Sequence, residues 1–299
     1  MSWTKYKDGF KTFLKLEKNL SDKTLEAYLL DVKKLEDFIC DNYDHTTAET
    51  VSFKQIQALI IWLNELGISA RSQARILSGI KNFYKYLVLE GIIEENPTAL
   101  IEMPKLGLKL PEVLSIIEID NIEKAIDLSK AEGHRNKAII ETLFSCGLRV
   151  SELTELKLSN VFFQERFIRV IGKGDKERLV PISEKALNDI LLYLPDRNSL
   201  PVIHPESADI LFLNRRGKKL TRVMIFTIVK ELAKAAGINK KVSPHTFRHS
   251  FATCLVDGGA DLRAVQEMLG HESIVTTEIY THLDKEYLRD TIFQFHPRS

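Results

Sequence analysis

Apolar residues recur at helical spacing through the first hundred residues of the chain. In the run that begins after Ser21, the side chains of Leu25, Leu29 and Val32 fall on one helix face. Comparable runs cover residues 5–16, 53–66 and 70–89, and glycines stand close behind the last two, where helices commonly end. The pattern predicts four helices within residues 1–103.

The second part of the chain alternates between helical and strand periods. Helical spacing covers residues 119–129, 134–146, 150–158, 186–194 and 221–236, and further helices are predicted to begin at Pro244 and near Asp261. Short β-rich runs at 162–163, 167–171 and 178–182 surround a glycine-rich turn at 172–176, and residues 210–213 are a further candidate strand. We therefore predict a mainly α fold, in which a four-helix N-terminal domain precedes a mixed α/β domain with a small antiparallel sheet.

Residues 104–112 separate the two patterns. This stretch contains two prolines, a glycine and two lysines, which is typical of an extended linker. The predicted domains are therefore 1–103 and 113–299. The second domain ends in a tail, 281–299, with an apolar run that includes Tyr287, Leu288, Ile292 and Phe293. The tail either packs on its own domain or docks in a groove of a neighbouring subunit, and we expect the second.

The charge of the whole chain does not mark it as a nucleic-acid binder. It has 42 basic and 41 acidic residues, whereas such proteins are commonly strongly basic. One helix nevertheless segregates its charge, because a basic face lies opposite the apolar face that contains Ile76, Ile80 and Phe83. Either this face is a solvated surface or it contacts DNA phosphates. Its four basic residues are Arg71, Arg75, Lys81 and Lys85.

The remaining composition bears on where the protein works. The three cysteines are far apart and form no metal-binding spacing, so we expect reduced thiols. No apolar run reaches the roughly 18 residues of a membrane span, and the N-terminus lacks the core of a signal peptide. We therefore predict a cytoplasmic protein that does not contact a membrane.

Residues 243–280 bring together groups that suit phosphate chemistry. His245 and Arg248 lie three residues apart on one predicted helix, His271 follows Gly270 at the end of the next, and Tyr280 lies on a third. A guanidinium binds phosphate oxygens in a planar fork, an imidazole moves a proton near neutral pH, and a phenol can be a covalent nucleophile. Alone, each of these residues is more often a surface or core residue, so the hypothesis needs partners elsewhere in the chain.

Three candidate partners lie earlier in the sequence. Arg149 and Glu152 share a helix face, and a surface ion pair explains them about as well as a site does. Lys173 lies in the turn between two predicted strands, where its flanking glycines would let the backbone approach a partner closely. Lysines in turns are mostly solvent-exposed, so this residue is also ambiguous by itself.

Taken together, four motifs resemble those of the tyrosine recombinases, the phage integrase family. They are GLRVSEL at 147–153, IGKGDKER at 171–178, HTFRHSFAT at 245–253 and MLGHESIVTTEIYTH at 268–282. The resemblance spans essentially the whole chain and is greatest to the Xer branch. It implies that the N-terminal four helices are a SAM-like core-binding domain that clamps DNA, and that the second domain is catalytic.

The resemblance also implies a role for each matching residue. Tyr280 corresponds to the nucleophile that attacks the scissile phosphate and retains the 3′-phosphoryl end. Arg149 and Arg248 correspond to the pair that clamps the non-bridging oxygens. Lys173 corresponds to the general acid for the leaving 5′ oxygen.

Three further positions have supporting roles in the family. His245 corresponds to a residue that assists proton transfer from the tyrosine, and His271 to one that hydrogen-bonds the phosphate. Glu152 corresponds to an acidic residue that supports the site from behind. Because two guanidiniums can stabilise the charged transition state, we expect neither a metal nor another cofactor.

The implied partner is double-stranded DNA with a recombination site of roughly 30 bp, bound by two protomers as two half-sites. Strand exchange would take place in a tetramer, alone or with a paralogous recombinase, and a DNA translocase is a candidate activator. The favoured role is resolution of chromosome dimers. The alternatives are a mobile-element integrase, a type IB topoisomerase and a DNA-binding relative without catalysis.

The basic helix gives a testable prediction. Replacing two of its four basic residues by glutamine should flatten the salt dependence of DNA binding by roughly one log–log unit per lost contact, because each phosphate contact releases counterions. Binding measured at several salt concentrations checks this. An unchanged slope would assign this face to solvent.

Overall fold

The computed structural model describes residues 3–18, 20, 22–107, 112–172, 176–270 and 282–298. The chain divides into two compact units, Met1–Lys109 and Leu110–Ser299. The division falls within the stretch for which the sequence predicts a linker. None of the described helices is long and apolar enough to cross a membrane.

The described residues of the first unit form four helices, close to the predicted positions. They are α1 (Trp3–Leu16), α2 (Asp22–Asn42), α3 (Phe53–Glu65) and α4 (Ala70–Leu89). Ser52 and Ser69 are the N-cap residues of α3 and α4, and each side chain accepts a hydrogen bond from a backbone N–H of the first turn. The apolar stripes meet in one core around fully buried Phe10, Leu35 and Phe83.

The second unit surrounds helix α6 with helices and a small sheet. Its elements are α5 (Ile116–Lys124), α6 (Gly133–Cys146), α7 (Val150–Thr154), β1 (Val161–Phe162), β2 (Phe167–Ile171), β3 (Glu177–Pro181), α8 (Glu184–Asn198), α9 (Arg222–Ala235), α10 (Pro244–Gly258), α11 (Leu262–Leu269) and α12 (His282–Phe295). The three strands pair antiparallel in the order β1-β2-β3, with Ile171 opposite Glu177 at the end of the β2–β3 hairpin. The mainly α prediction with a small antiparallel sheet is confirmed.

Four local predictions in this unit are wrong. Helix α5 ends at Lys124 and not near residue 129, because the chain then turns and the Asp127 carboxylate accepts the N–H of Ser129 at 3.0 Å. Helix α7 ends at Thr154, because the chain then pairs with residues 209–211, where the Leu156 carbonyl accepts the N–H of Leu211. Residues 210–213 form only isolated bridges to neighbouring segments, rather than a strand. Helix α8 continues through Pro195, which removes only the hydrogen bond to the carbonyl of Leu191, a residue exposed to solvent.

The tail packs on its own domain. Leu288 and Ile292 of α12 are buried in a cluster with Phe251 and Met268, so the prediction that they reach a neighbouring subunit is wrong. The aromatic rings of Tyr287 and Phe293 remain exposed. The physical reason is that α10 and α11 leave an apolar surface that α12 covers.

The last described residues, His296 and Arg298, add an aromatic contact and ion pairs that hold the tail on its own domain. The buried ring of His296 lies 4.8 Å from the ring of Phe144, centroid to centroid. The Arg298 guanidinium pairs with Asp120 and lies 3.5 Å from the Glu141 carboxylate. Burial, and then the neighbouring Glu123 carboxylate, raise the pKa of Glu141 to about 8. Arg298 therefore shares with Lys185 the pairing of the acidic side chains of Asp120, Glu123 and Glu141.

We expect Arg298→Ala to lower the free energy of unfolding by about 2 kcal/mol, because it leaves buried carboxylates with one fewer counter-charge. Thermal or denaturant unfolding measures this effect. Arg289→Ala on the same tail is the matched control, since that side chain is half exposed and pairs only with the adjacent Asp290 among the described residues. An equal loss of unfolding free energy in the two variants would show that the ion pairs of Arg298 do not stabilise the packing of the tail.

Candidate active site

Four of the predicted site residues, Arg149, Glu152, His245 and Arg248, lie where α6, α7, α10, β3 and α11 meet. Gly147, in the left-handed conformation with φ of 57°, ends α6 and turns the chain toward Arg149. Ser243 caps α10, and its capping box includes Thr246. These two turns place Arg149 at the start of α7 and Arg248 in the first turns of α10.

Glu152 is the centre of this arrangement. Its carboxylate accepts the backbone N–H of Arg149 at 2.8 Å and a guanidinium N–H of the same residue at 2.8 Å. Arg178 donates to both carboxylate oxygens, at 2.8 and 2.9 Å, and Arg248 lies 4.0 Å away. Because Glu152 is only 6 % exposed, the pair with Arg149 is not the surface ion pair that the sequence left open.

The electrostatics of Glu152 follow from these neighbours. Burial alone would raise the pKa of this carboxyl, but the hydrogen bonds and charge of Arg178, followed by those of Arg149, hold its pKa below the ordinary value of 4.5. Glu152 is therefore ionised at neutral pH. A negative group that accepts three guanidinium hydrogen bonds fixes the orientation of the side chains that donate them.

The three arginines also bind the last carbonyl groups of α11. Arg178 donates to the carbonyl of Met268 at 2.7 Å, Arg248 to that of Leu269, and Arg149 to that of Gly270 at 2.9 Å. The final carbonyls of a helix lack intrahelical partners and form the negative end of the helix dipole. The arginines therefore fix the point at which the chain leaves α11 for His271.

Arg149 and Arg248 differ in exposure. The Arg149 side chain is 36 % exposed, whereas Arg248 is nearly buried and also donates to the Gly147 carbonyl at 2.8 Å. Burial, together with the charge of Arg149, lowers the pKa of Arg248 to about 10, so its guanidinium remains charged at neutral pH. Each guanidinium has five N–H donors, and the hydrogen bonds described here use two on each side chain.

His245 is the exposed group of the cluster. Partial burial lowers the pKa of its imidazole, and the positive charges of His249, Arg248 and Arg149 lower it further. The ring therefore favours its neutral form at pH 7, in which one nitrogen can accept a proton. The arrangement combines a proton acceptor with two fixed cations.

Three predicted site residues, Lys173, His271 and Tyr280, lie outside the described residues. The residues just before the first two are described, and both lie close to Arg178. A Cβ atom added at Gly270 would be 3.3 Å from the Arg178 side chain, and one added at Gly172 would be 3.8 Å from it. Gly172 and Gly270, which precede these segments, therefore both lie beside the Arg178 guanidinium that pairs with Glu152.

Arg178 was not among the residues that the sequence singled out for the site. A signal was present, because strand alternation puts position 178 in phase with buried Val180. A charged residue at an inward strand position is rare unless it has a buried partner. The sequence contains no indication that this partner is Glu152, 26 residues away.

The basic face of α4 divides into two classes. Arg75 forms a bidentate pair with buried Asp31, at 2.7 and 2.9 Å, and Lys81 donates to the Ile101 carbonyl. Arg71 and Lys85 are exposed, with no hydrogen bond or ion pair to other residues in the described part of the chain. The DNA contact of all four stays a prediction, and Arg71 with Lys85 is the best pair for the double replacement.

The chain matches two family models that together cover most of its length. The phage integrase family model matches residues 113–287, and the model of the phage integrase N-terminal SAM-like domain matches residues 8–91. Tyrosine recombinase XerD of Staphylococcus epidermidis is 40 % identical over 292 residues, which cover 98 % of each chain.

Solved structures share the fold. XerH site-specific recombinase bound to a palindromic difH substrate gives a TM-score of 0.70 at 24 % identity, covering 95 % of this chain and 83 % of that one. A lambda integrase tetramer bound to a Holliday junction also gives 0.70, at 19 % identity, covering 93 % and 80 %.

The Glu152 cluster predicts a pH-dependent loss of stability. At pH 7, Glu152→Gln should lower the free energy of unfolding by about 3 kcal/mol, because three guanidiniums lose their counter-charge. The folded-state pKa of Glu152 is depressed, so its stabilising effect is complete above pH 4.5 and is lost as pH falls through the lower folded-state value. Parent and variant should therefore converge as pH falls below the folded-state pKa of Glu152.

Denaturant unfolding between pH 7 and 3 tests this convergence. Glu155→Gln is the control, since its pair with Lys219 is exposed on both sides. A constant difference between parent and Glu152→Gln over this pH range would show that the carboxylate charge is not what stabilises the cluster.

Proposed function

Because this chain belongs to the phage integrase family and is a tyrosine recombinase similar to XerD, we propose that it cleaves and rejoins DNA at a specific site through a 3′-phosphotyrosine at Tyr280. Two such exchanges would pass through a Holliday junction. The family membership supports the reaction class, and the proposal adds the residues that perform it and the DNA on which they act.

The observation that carries the proposal is the pair of guanidiniums fixed around Glu152. Glu152 and the Gly270 carbonyl orient Arg149, and the carbonyls of Gly147 and Leu269 orient Arg248. The described hydrogen bonds leave other N–H donors of each guanidinium unused. A phosphodiester in transit between two alcohols spreads negative charge over its non-bridging oxygens. Pre-oriented cations stabilise that charge without reorganising during the reaction.

The proton movements require an acceptor and a donor. A free tyrosine has a pKa of about 10, so the Tyr280 phenol needs both a proton acceptor and a positive field. The neutral imidazole of His245, beside Arg248 and Arg149, has the properties of that acceptor. The leaving 5′ oxygen takes a proton from Lys173, and His271 donates a hydrogen bond to the phosphate in this scheme.

The biological substrate we propose is a dif-like chromosomal site, and the role is resolution of chromosome dimers before cell division. Similarity to XerD along nearly the whole chain supports this choice over a mobile-element integrase. The protein would act in the cytoplasm, on half-sites within roughly 30 bp. The active assembly would be a tetramer, either of this chain alone or with a paralogue, and a DNA translocase would activate it.

Covalent trapping tests the reaction. A nicked suicide duplex with a dif-like site, incubated with the protein in EDTA, should give a protein–DNA adduct that survives SDS. Tyr280→Phe should give none, because the nucleophilic oxygen is absent. Arg248→Gln should slow adduct formation about 10²–10³-fold through the loss of one oxyanion donor.

The same assay separates the alternatives. An adduct that still forms with Tyr280→Phe would show that Tyr280 is not the nucleophile. Binding without an adduct, even with a paralogue and a translocase present, would indicate a non-catalytic DNA-binding relative. Cleavage of mobile-element ends but not of dif-like duplexes would favour the integrase.

A further inference from the structure

We propose that Arg178 is a positioning residue that ties the β2–β3 hairpin to the Glu152 centre, so that Lys173 reaches the leaving oxygen; this inference rests on the function proposed above. Among the described residues, its hydrogen bonds go to Glu152 and to the Met268 carbonyl, and none goes to His245. It would act through the hairpin that carries Lys173 and would not touch the DNA.

The first observation is how completely its guanidinium is engaged. Two of its nitrogens donate to the two Glu152 oxygens, and the third donates to the carbonyl of Met268. The side chain is 7 % exposed. No face of it is therefore presented to a DNA phosphate, in contrast to Arg149.

The second observation is the pair of glycines against which this side chain packs. A Cβ atom at Gly270 would be 3.3 Å from Cδ, Nε and Cζ of Arg178, which is tighter than most Cβ contacts. On the hairpin, a Cβ atom at Gly172 would be 3.8 Å from Nη1. Gly270 therefore lets the backbone directly before His271 lie close to the guanidinium, whereas the 3.8 Å at Gly172 is an ordinary contact distance that places the backbone directly before Lys173 beside the same group.

The third observation is the register of the hairpin. Arg178 pairs with Val170, and the next positions, Ile171 and Glu177, close the ladder. Gly172 then donates its N–H to the Lys176 carbonyl at 2.8 Å. A slip by one residue would turn Arg178 outward, so its ion pair with Glu152 selects one register for the turn that follows.

Lysine could not replace this side chain without loss. The planar guanidinium matches both carboxylate oxygens at once and still has an N–H for the Met268 carbonyl. An ammonium would keep the charge but could not bond both Glu152 oxygens and the Met268 carbonyl in the same planar geometry. Arg178→Lys should therefore retain the fold and lose part of the positioning.

A displaced hairpin should impair only one step of the reaction, the transfer of a proton from Lys173 to the leaving 5′ oxygen. If the turn drifts, Lys173 protonates the leaving oxygen less often, whereas the clamp on the phosphate keeps its two arginines. General-acid catalysis contributes roughly 10²–10⁴-fold, so a defect of that kind is large enough to measure. A substrate whose leaving group needs no proton should therefore be cleaved at nearly the parent rate.

The experiment compares two suicide duplexes that differ in one atom, with oxygen or sulfur bridging the scissile phosphate and the 5′ carbon. A thiol has a pKa of about 8.5, far below that of an alcohol, so the sulfur leaves as thiolate without a proton donor. We expect Arg178→Gln to slow cleavage of the oxygen substrate about 10²-fold and to cleave the sulfur substrate at nearly the parent rate.

Companion variants complete the test. Arg178→Lys should show a smaller loss with the same rescue by sulfur, and it serves if the glutamine variant does not fold. Lys173→Ala is the reference for loss of the general acid and should show the same rescue. Arg169→Gln is the matched control on the partly exposed side of β2, where the side chain bonds Asn160, and it should cleave both substrates normally.

The outcomes are separable. An equal slowing of Arg178→Gln on both substrates, or unchanged cleavage with only a lower melting temperature, would overturn the positioning role. Weaker DNA binding as the sole defect would do the same. Failure of the parent protein to form an adduct on either substrate would instead count against the proposed function, whatever Arg178 does.

Discussion

A single buried carboxylate organises the catalytic unit. Glu152 is nearly inaccessible to water, yet it must stay ionised, because three guanidiniums surround it. Burying one negative charge is unfavourable, and leaving three buried or half-buried positive charges without it would be worse. These contacts therefore stabilise the arrangement of α7, α10 and β3 that brings their arginines to the same acid.

The same arginines give the helix α11 its function in the site. Its last two residues, Met268 and Leu269, and the C-cap Gly270 each offer a carbonyl to a different guanidinium. Three positive charges around one negative charge leave two positive charges, at the end of a helix whose dipole is negative. This excess suits a phosphate that gains charge during reaction. Partial burial, followed by the positive charges of His249, Arg248 and Arg149, also lowers the pKa of the neighbouring His245 imidazole. Structure and proposed chemistry thus depend on one balance of charge.

Elsewhere in the chain, charged side chains also pair with one another inside the protein. The net charge is therefore a poor indicator of DNA binding. Arg75 is paired with buried Asp31, and Arg298 with an acidic cluster on α5 and α6. These pairs fix helices to one another and the tail to its own domain. Net charge counts them in full, although only exposed side chains such as Arg71 and Lys85 remain for a polyanion. Segregation of charge is therefore more informative than its sum.

The sequence by itself determined the helices, the hairpin and the family motifs, because periodicity, caps and turn residues act over a few neighbouring residues. Ser69, Gly147 and Ser243 each mark a boundary that local hydrogen bonding enforces. Only the tertiary structure decided where α7 stops, that residues 210–213 form no strand, and that Leu288 and Ile292 are buried in their own domain. It alone showed that Arg178 belongs to Glu152. Long-range pairing depends on which distant groups can share one buried charge, and no local pattern contains that information.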